Sequence, residues 1–306
     1  MTQPGIPNEY SISTSCYGTR LASIEAQAFA AVAMGFRRLE LGLSESPVAL
    51  NGFEESRRET GIAVASIVTG CLNPRTEQMS GTKLGSLDAE LRERAMISCR
   101  RHIQLAERYA CPVVILRGCE IEDPNVVAEA TALEARLEEE GPSEEIHLEV
   151  EQFVASAQRK AQPQLEHFCR SVHTLRAEHP EVKLAVEPGR SYVDLLSFET
   201  MEWVLDDLAR QGLSYWHDTG TVHRRQHAGL PGQGEWLEKF GPRLVGVHLR
   251  DAVGNESEIP PGLGEVDFRL VADYVPKEAE KVVEINPRHG RSEILASVQL
   301  LMERGF

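Results

Sequence analysis

Short apolar segments alternate with longer stretches of helical pattern almost from end to end, and this alternation constrains the fold more than any other feature. The segments are YSISTSCYG (10–18), FRRLELGL (36–43), IAVASIVTG (62–70), PVVILRG (112–118), KLAVEPG (183–189), LSYWHDTG (213–220), LVGVHLRD (244–251) and KVVEIN (281–286). Several are rich in β-branched residues, and PVVILRG is a continuous apolar run bounded by Pro and Gly, as a strand buried on both faces should be. Between them, Leu91, Ala95, Cys99, Ile103 and Ala106 recur at steps of three and four, the spacing of one buried helix face. Parallel neighbours need crossovers, so eight strands separated by helices predict an α/β fold, a (β/α)8 TIM barrel. An open doubly wound sheet is the alternative. It usually has fewer strands, and no G-x-G-x-x-G follows the first segment here.

The chain has 306 residues, and a prior of roughly 150 residues per domain suggests two domains. A barrel uses such a length as one, and no repeat or second unit is visible, so one domain over 1–306 is expected. Residues 119–181 exceed a simple crossover and contain the acidic run EARLEEEGPSEE (134–145). This predicts a solvated helical excursion after strand four, with a lid or a homo-oligomer contact as the sharper reading. Acidic residues outnumber basic ones 47 to 32, for a net charge of −15. That balance argues against nucleic acid and an anionic membrane as partners. The first residues show no signal peptide pattern, and no stretch approaches the roughly 18 apolar residues of a span. Six scattered cysteines without a C-x-x-C pair read as reduced thiols of a cytoplasmic protein. Cys119, in LRGCE, reads as a small apolar filler.

Chemistry concentrates where strands end. Glu187, Asp218, His248 and Glu284 close strands five to eight, spaced 31, 30 and 36 residues apart. Each interval is about one βα unit, so the four side chains share the carboxyl-end mouth of the barrel, where this fold places active sites. One such residue alone would read as a cap or a salt-bridge partner. Four at equivalent places in consecutive units point to a ligand set. Three crowded carboxylates repel one another, and a divalent cation removes the conflict. Three oxygen donors and one imidazole suit one Mn²⁺, Mg²⁺, Co²⁺ or Zn²⁺ ion.

At these residues the chain resembles the sugar phosphate isomerase/epimerase family of xylose-isomerase-like TIM barrels. The matching motifs are LAVEP, WHDTG, VGVHLRD, PPGLGEVDF (260–268) and VVEIN, in the family's order. The resemblance implies a metal held by Glu187, Asp218, His248 and Glu284, with Glu187 and Glu284 doubling as acid/base groups on opposite sides of a substrate carbon. It also implies a small carbohydrate-like substrate isomerised or epimerised through an ene-diolate. A lyase or dehydratase of a keto-sugar or keto-inositol is the nearest rival, and a non-catalytic sugar-binding barrel the next. An abasic-site endonuclease of the same family is disfavoured, because SIVTG and VVILRG lack its extra histidines. Many relatives read D-T-G-H, whereas here the fourth position is Thr221, and His217 and His223 are the candidates to replace that histidine.

Further substrate contacts are expected from arginines near the mouth. Arg117 ends strand four, Arg190 follows Glu187 by three residues, Arg250 and Asp251 follow His248, and Arg288 follows Glu284. Their forks would suit a phosphate or carboxylate, with Arg288 favoured, although a surface salt bridge is the default for each. Glu40 is expected either to accept a substrate hydroxyl or to pair with Arg37 or Arg38. His289 reads as a loop residue.

Overall fold

The computed structural model describes residues 5–44, 47–73 and 82–306. Its strands are β1 (Tyr10–Ser13), β2 (Arg38–Leu41), β3 (Ala63–Val68), β4 (Val113–Leu116), β5 (Lys183–Val186), β6 (Ser214–Asp218), β7 (Leu244–Leu249), β8 (Asp251–Val253), β9 (Glu256–Ile259) and β10 (Glu280–Val283). Eight of them close a parallel barrel in the order β1–β10–β7–β6–β5–β4–β3–β2, while β8 and β9 pair antiparallel as a separate hairpin. The helices are α1 (Ile24–Met34), α2 (Phe53–Thr60), α3 (Ala89–Tyr109), α4 (Pro124–Glu140), α5 (Glu144–Glu178), α6 (Phe198–Asp207), α7 (Thr219–His227), α8 (Gln233–Phe240), α9 (Phe268–Tyr274) and α10 (Arg291–Glu303). The chain is a (β/α)8 barrel.

Local chemistry sets the element ends. Ser23, Asp88, Asp123 and Ser143 each accept a backbone N–H in the first turn of α1, α3, α4 and α5. Gly35 ends α1 in the left-handed conformation that its missing Cβ allows. Inside the barrel Val68, Val113, Ile115, Ala185, Trp216 and Val282 pack together, and a larger apolar layer lies between the sheet and the helices. Trp216 fits inside because Gly246 lies beside it; a Cβ there would collide with the indole. The Trp216 ring centroid is 5.1 Å from that of His248, so the interior packing ends directly beneath the mouth.

Three details differ from the sequence expectation. The first strand stops at Ser13, whose hydroxyl accepts from Ser15 N and starts a helical turn over Thr14–Arg20. The helical excursion expected after strand four is present and its acidic run is largely exposed, but it is more packed than a solvated one: α4 buries Val126, Ala130, Leu133 and Leu137, and α5 runs for 35 residues. The strand expected over 244–251 ends at Leu249, and the chain then turns into the β8–β9 hairpin beside the mouth. The six cysteines form no disulfide among the described residues, and Cys119 is fully buried, as a filler should be. Among the described residues no helix is long and apolar enough to cross a membrane.

Candidate active site

Four strand ends converge at the carboxyl mouth. Glu187 follows β5, Asp218 ends β6, His248 lies in β7 and Glu284 follows β10, and all four are buried. Asp218 and His248 are ladder partners, and Thr219 Oγ1 donates to Arg250 O at 2.6 Å, locking the two strand ends together. His248 Nδ1 lies 3.3 Å from Glu187 Oε2 and 3.7 Å from Glu284 Oε2. These three buried atoms have no hydrogen-bond partner. Glu187, Asp218 and His248 each offer a donor atom within 4.8 Å of the others. Orphaned buried acceptors cost free energy unless something fills them, and two carboxylate oxygens facing one imidazole nitrogen fit a cation.

Electrostatics point the same way. Burial opposes protonation of His248, yet the surrounding Glu40 and Glu284 carboxylates override it and raise its pKa well above the ordinary value. That direction reports a field that favours positive charge at this point. Burial also dominates at Glu284, which is raised, whereas at Glu187 burial is outweighed by His248 and Arg190, which hold it low. On the far side of the ring, His248 Nε2 donates to Glu40 Oε2 at 3.0 Å, and Ser66 Oγ donates to the same oxygen at 2.6 Å. That bond fixes the ring orientation and turns Nδ1 toward Glu187 and Glu284, where a cation could take the place of its proton.

Asp218 is more heavily engaged. Its Oδ1 accepts from Thr221 N at 2.9 Å and Arg250 Nε at 2.8 Å, while Oδ2 accepts from Thr221 Oγ1 and Arg250 Nη2. The same carboxylate therefore caps α7 and grips a guanidinium that is itself fully buried. Burial opposes its ionisation, but the Arg250 charge prevails and holds it far below the usual carboxylate range. Arg250 Nη1 also lies 3.1 Å from Glu284 Oε2 and 3.6 Å from Glu258 Oε1 on β9.

The remaining sequence candidates divide. Arg117 reaches the site, with Nε 3.6 Å from Glu187 Oε1, and Arg190 faces it from the loop after β5, 3.8 Å from Glu258. Glu40 belongs to the site as the partner of His248; the expected pairing with Arg37 or Arg38 is not formed, because Arg38 binds Glu280 and Arg37 donates to Phe36 O. His217 does not replace the family histidine. The strand alternation turns it outward, where Tyr215 Oη and Gln233 Oε1 satisfy both ring nitrogens and burial lowers its pKa to about 4. His223 pairs with Glu265 at 3.3 Å on the rim. Asp251 is no substrate contact either: its carboxylate accepts the N–H groups of Ala252, Gly262, Gly264 and Val266. Arg288 is exposed and bound to Glu256, the surface salt bridge that was its default reading. His289 lies near Glu293 outside the cluster.

Sequence reasoning undervalued Arg250, Ser66 and Glu258. Arg250 was legible, since two residues beyond His248 returns to the same strand face. Glu258 was not, because its position depends on the unforeseen hairpin.

A family model described as xylose isomerase-like TIM barrel matches residues 24–301. No curated protein matches the sequence. Among solved structures, the chain is similar to the 3-keto-D-glucoside 4-epimerase YcjR from E. coli, at 13% identity and TM-score 0.66 over 97% of this chain and 100% of that one. A D-tagatose 3-epimerase-like protein gives 16% identity and TM-score 0.67 over 96% of each chain. The IolI protein with a zinc atom gives 10% identity and TM-score 0.60 over 97% of each.

Proposed function

The chain belongs to the xylose isomerase-like TIM barrel family, and from that premise we propose that it is a divalent-metal-dependent isomerase or epimerase of a small sugar or related polyhydroxy carbonyl compound. The observation that carries this reading is the convergence of Glu187 Oε2, His248 Nδ1 and Glu284 Oε2, all buried and none in a hydrogen bond, at the barrel mouth. With His248 neutral, as a metal ligand must be, the carboxylates of Glu40, Glu187, Asp218, Glu258 and Glu284 around them outnumber the guanidiniums of Arg117, Arg190 and Arg250 by two charges. A divalent ion would cancel that difference. Solved neighbours named as sugar epimerases, and one named with a zinc atom, add support for the substrate class and the ion.

In this reading Glu187, Asp218, His248 and Glu284 hold the ion. Three of them present free atoms, and Asp218 joins by exchanging a present hydrogen bond for it. When bound, the ion supplies Lewis acidity beside a substrate carbonyl. Glu187 and Glu284 form the acid/base pair: one removes the proton next to the carbonyl to give an ene-diolate, and the other returns it. Glu40 holds the His248 ring, and Thr221 and Arg250 hold Asp218.

Proton exchange with solvent tests the reading without knowledge of the physiological sugar. Ketoses incubated with metal-loaded protein in D₂O should gain deuterium beside the carbonyl and yield an epimer or isomer, read by mass spectrometry and product chromatography. Glu187→Gln and Glu284→Gln should each abolish exchange, because an amide cannot accept the proton. Loss of water from the substrate would assign a dehydratase instead. Binding with neither exchange nor product across the panel would leave a non-catalytic barrel.

A further inference from the structure

Three guanidiniums face the mouth, and they differ in how far their donors are used. Arg250 is spent: its Nε and Nη2 bind Asp218, and its Nη1 lies 3.1 Å from Glu284. Arg117, whose side chain is only 12% exposed, donates no hydrogen bond among the described residues and has one long contact, Nε to Glu187 Oε1 at 3.6 Å. Arg190 likewise donates none; its Nη1 is 3.8 Å from Glu258 and its Nε is buried without a partner. A guanidinium carries five N–H donors, so two of them here are nearly empty-handed in a protein whose net charge is −15.

We propose that Arg117 and Arg190 form a carboxylate-binding subsite, and that the substrate is a polyhydroxy carbonyl compound bearing a carboxylate, of the sugar-acid class. The proposal rests on the isomerase or epimerase reading for its polyhydroxy carbonyl part, and on the two arginines alone for its anionic part. A hydroxyl would satisfy a donor but would leave the positive charge of Arg117, whose Glu187 counter-ion stands 3.6 Å away without a hydrogen bond, without a close anionic partner. Glu187 is the nearest counter-ion of Arg117, and the same carboxylate is proposed to serve the ion. Planar forks match a planar carboxylate in bidentate fashion. A phosphate would bring close to two charges rather than one. Glu258, between Arg190 and Arg250, opposes that second charge.

Calorimetric titration of the metal-loaded protein with uronic acids and their amides separates charge from shape. D-Glucuronate and D-galacturonate should bind at least 10-fold more tightly than D-glucuronamide and D-galacturonamide. Arg190→Gln should erase most of that preference, and Arg117→Lys, which keeps the charge but loses the fork, should reduce it several-fold. Metal content should be unchanged in Arg190→Gln, which alters a half-exposed loop residue. Equal binding of acids and amides, no binding of either acid, or a preference that survives both variants overturns the subsite. Tighter binding of D-glucose 6-phosphate than of both uronates overturns the carboxylate assignment. The isomerase reading fails separately: uronate preference with neither deuterium exchange nor an isomeric product on any sugar removes that reading and leaves the subsite standing, whereas exchange on neutral ketoses without uronate preference does the reverse.

Discussion

Glu40 takes two hydrogen bonds on one oxygen, from Ser66 and from His248, and through the second it decides which ring nitrogen of His248 is free. A carboxylate behind a ligating imidazole raises its basicity and fixes its orientation. Glu40→Gln keeps a carbonyl oxygen for the Nε2–H but removes the charge, so metal affinity should fall by roughly 10- to 100-fold. Competition against a fluorescent chelator would measure it. An unchanged affinity would mean that His248 is not a ligand. Much of this site was legible from sequence because strand ends in successive βα units must share one mouth, which fixes Glu187, Asp218, His248 and Glu284 together. The direction of single side chains was harder to read. His217 and Asp218 are neighbours, yet alternation sends one to the helix layer and the other to the mouth. Arg288 is adjacent to the last strand but lies beyond its end, where no alternation constrains it, and it found Glu256 instead.

At the scale of elements, the loop 260–266 owes its shape to one buried side chain. Asp251 Oδ1 accepts from Ala252 and Val266, and Oδ2 from Gly262 and Gly264, all between 2.8 and 2.9 Å. Gly262 has a φ of +97°, and a Cβ on Gly264 would press into Ala252 O and Asp251, which explains why PPGLGEVDF carries glycine at both places. The motif was visible as turn punctuation, but its anchor was read as a substrate contact because nothing in a sequence tells which backbone amides an aspartate will meet. Asp251→Asn places an NH₂ against amide donors and leaves two of them unmet, so it should destabilise the fold by about 2–4 kcal/mol. Urea unfolding of wild type and variant checks this. A difference within ~0.5 kcal/mol would show that the loop holds without its anchor. The β8–β9 hairpin next to it closes against α7, where Gly220 lets the helix start approach Ser257 O. No hydrophobic alternation announces so short a hairpin, and for that reason Glu258 escaped the sequence reading.

The stability of the whole molecule should depend on pH through a histidine on α3, outside the ligand set. His102 on α3 is fully buried, and its Nε2 accepts the N–H groups of Gly70 at 3.0 Å and Leu72 at 3.3 Å, while Nδ1 lies 2.7 Å from Ser98 O. Two amides donating to Nε2 require that nitrogen to be unprotonated, and Ser98 O requires Nδ1–H, so the ring is neutral in the fold. Burial, aided by the Arg101 charge and opposed by the Ser98 bond, lowers its pKa to about 4 from 6.5. Between those two values the unfolded chain binds a proton that the native protein refuses, so stability rises with pH across the window and is lost as pH falls through it. The full shift corresponds to about 3 kcal/mol, with a slope of at most ~1.4 kcal/mol per pH unit. His102→Gln retains an acceptor for Gly70 N but has no proton to gain. It should be less stable than wild type at pH 7 and should lose about 3 kcal/mol less than wild type between pH 7 and pH 4. Denaturant unfolding at several pH values reads the difference directly, and because His102 clamps the loop after β3 to α3, the two curves should converge as acid weakens that clamp in the wild type. Parallel curves over the whole range would show that His102 protonates without cost in the folded protein.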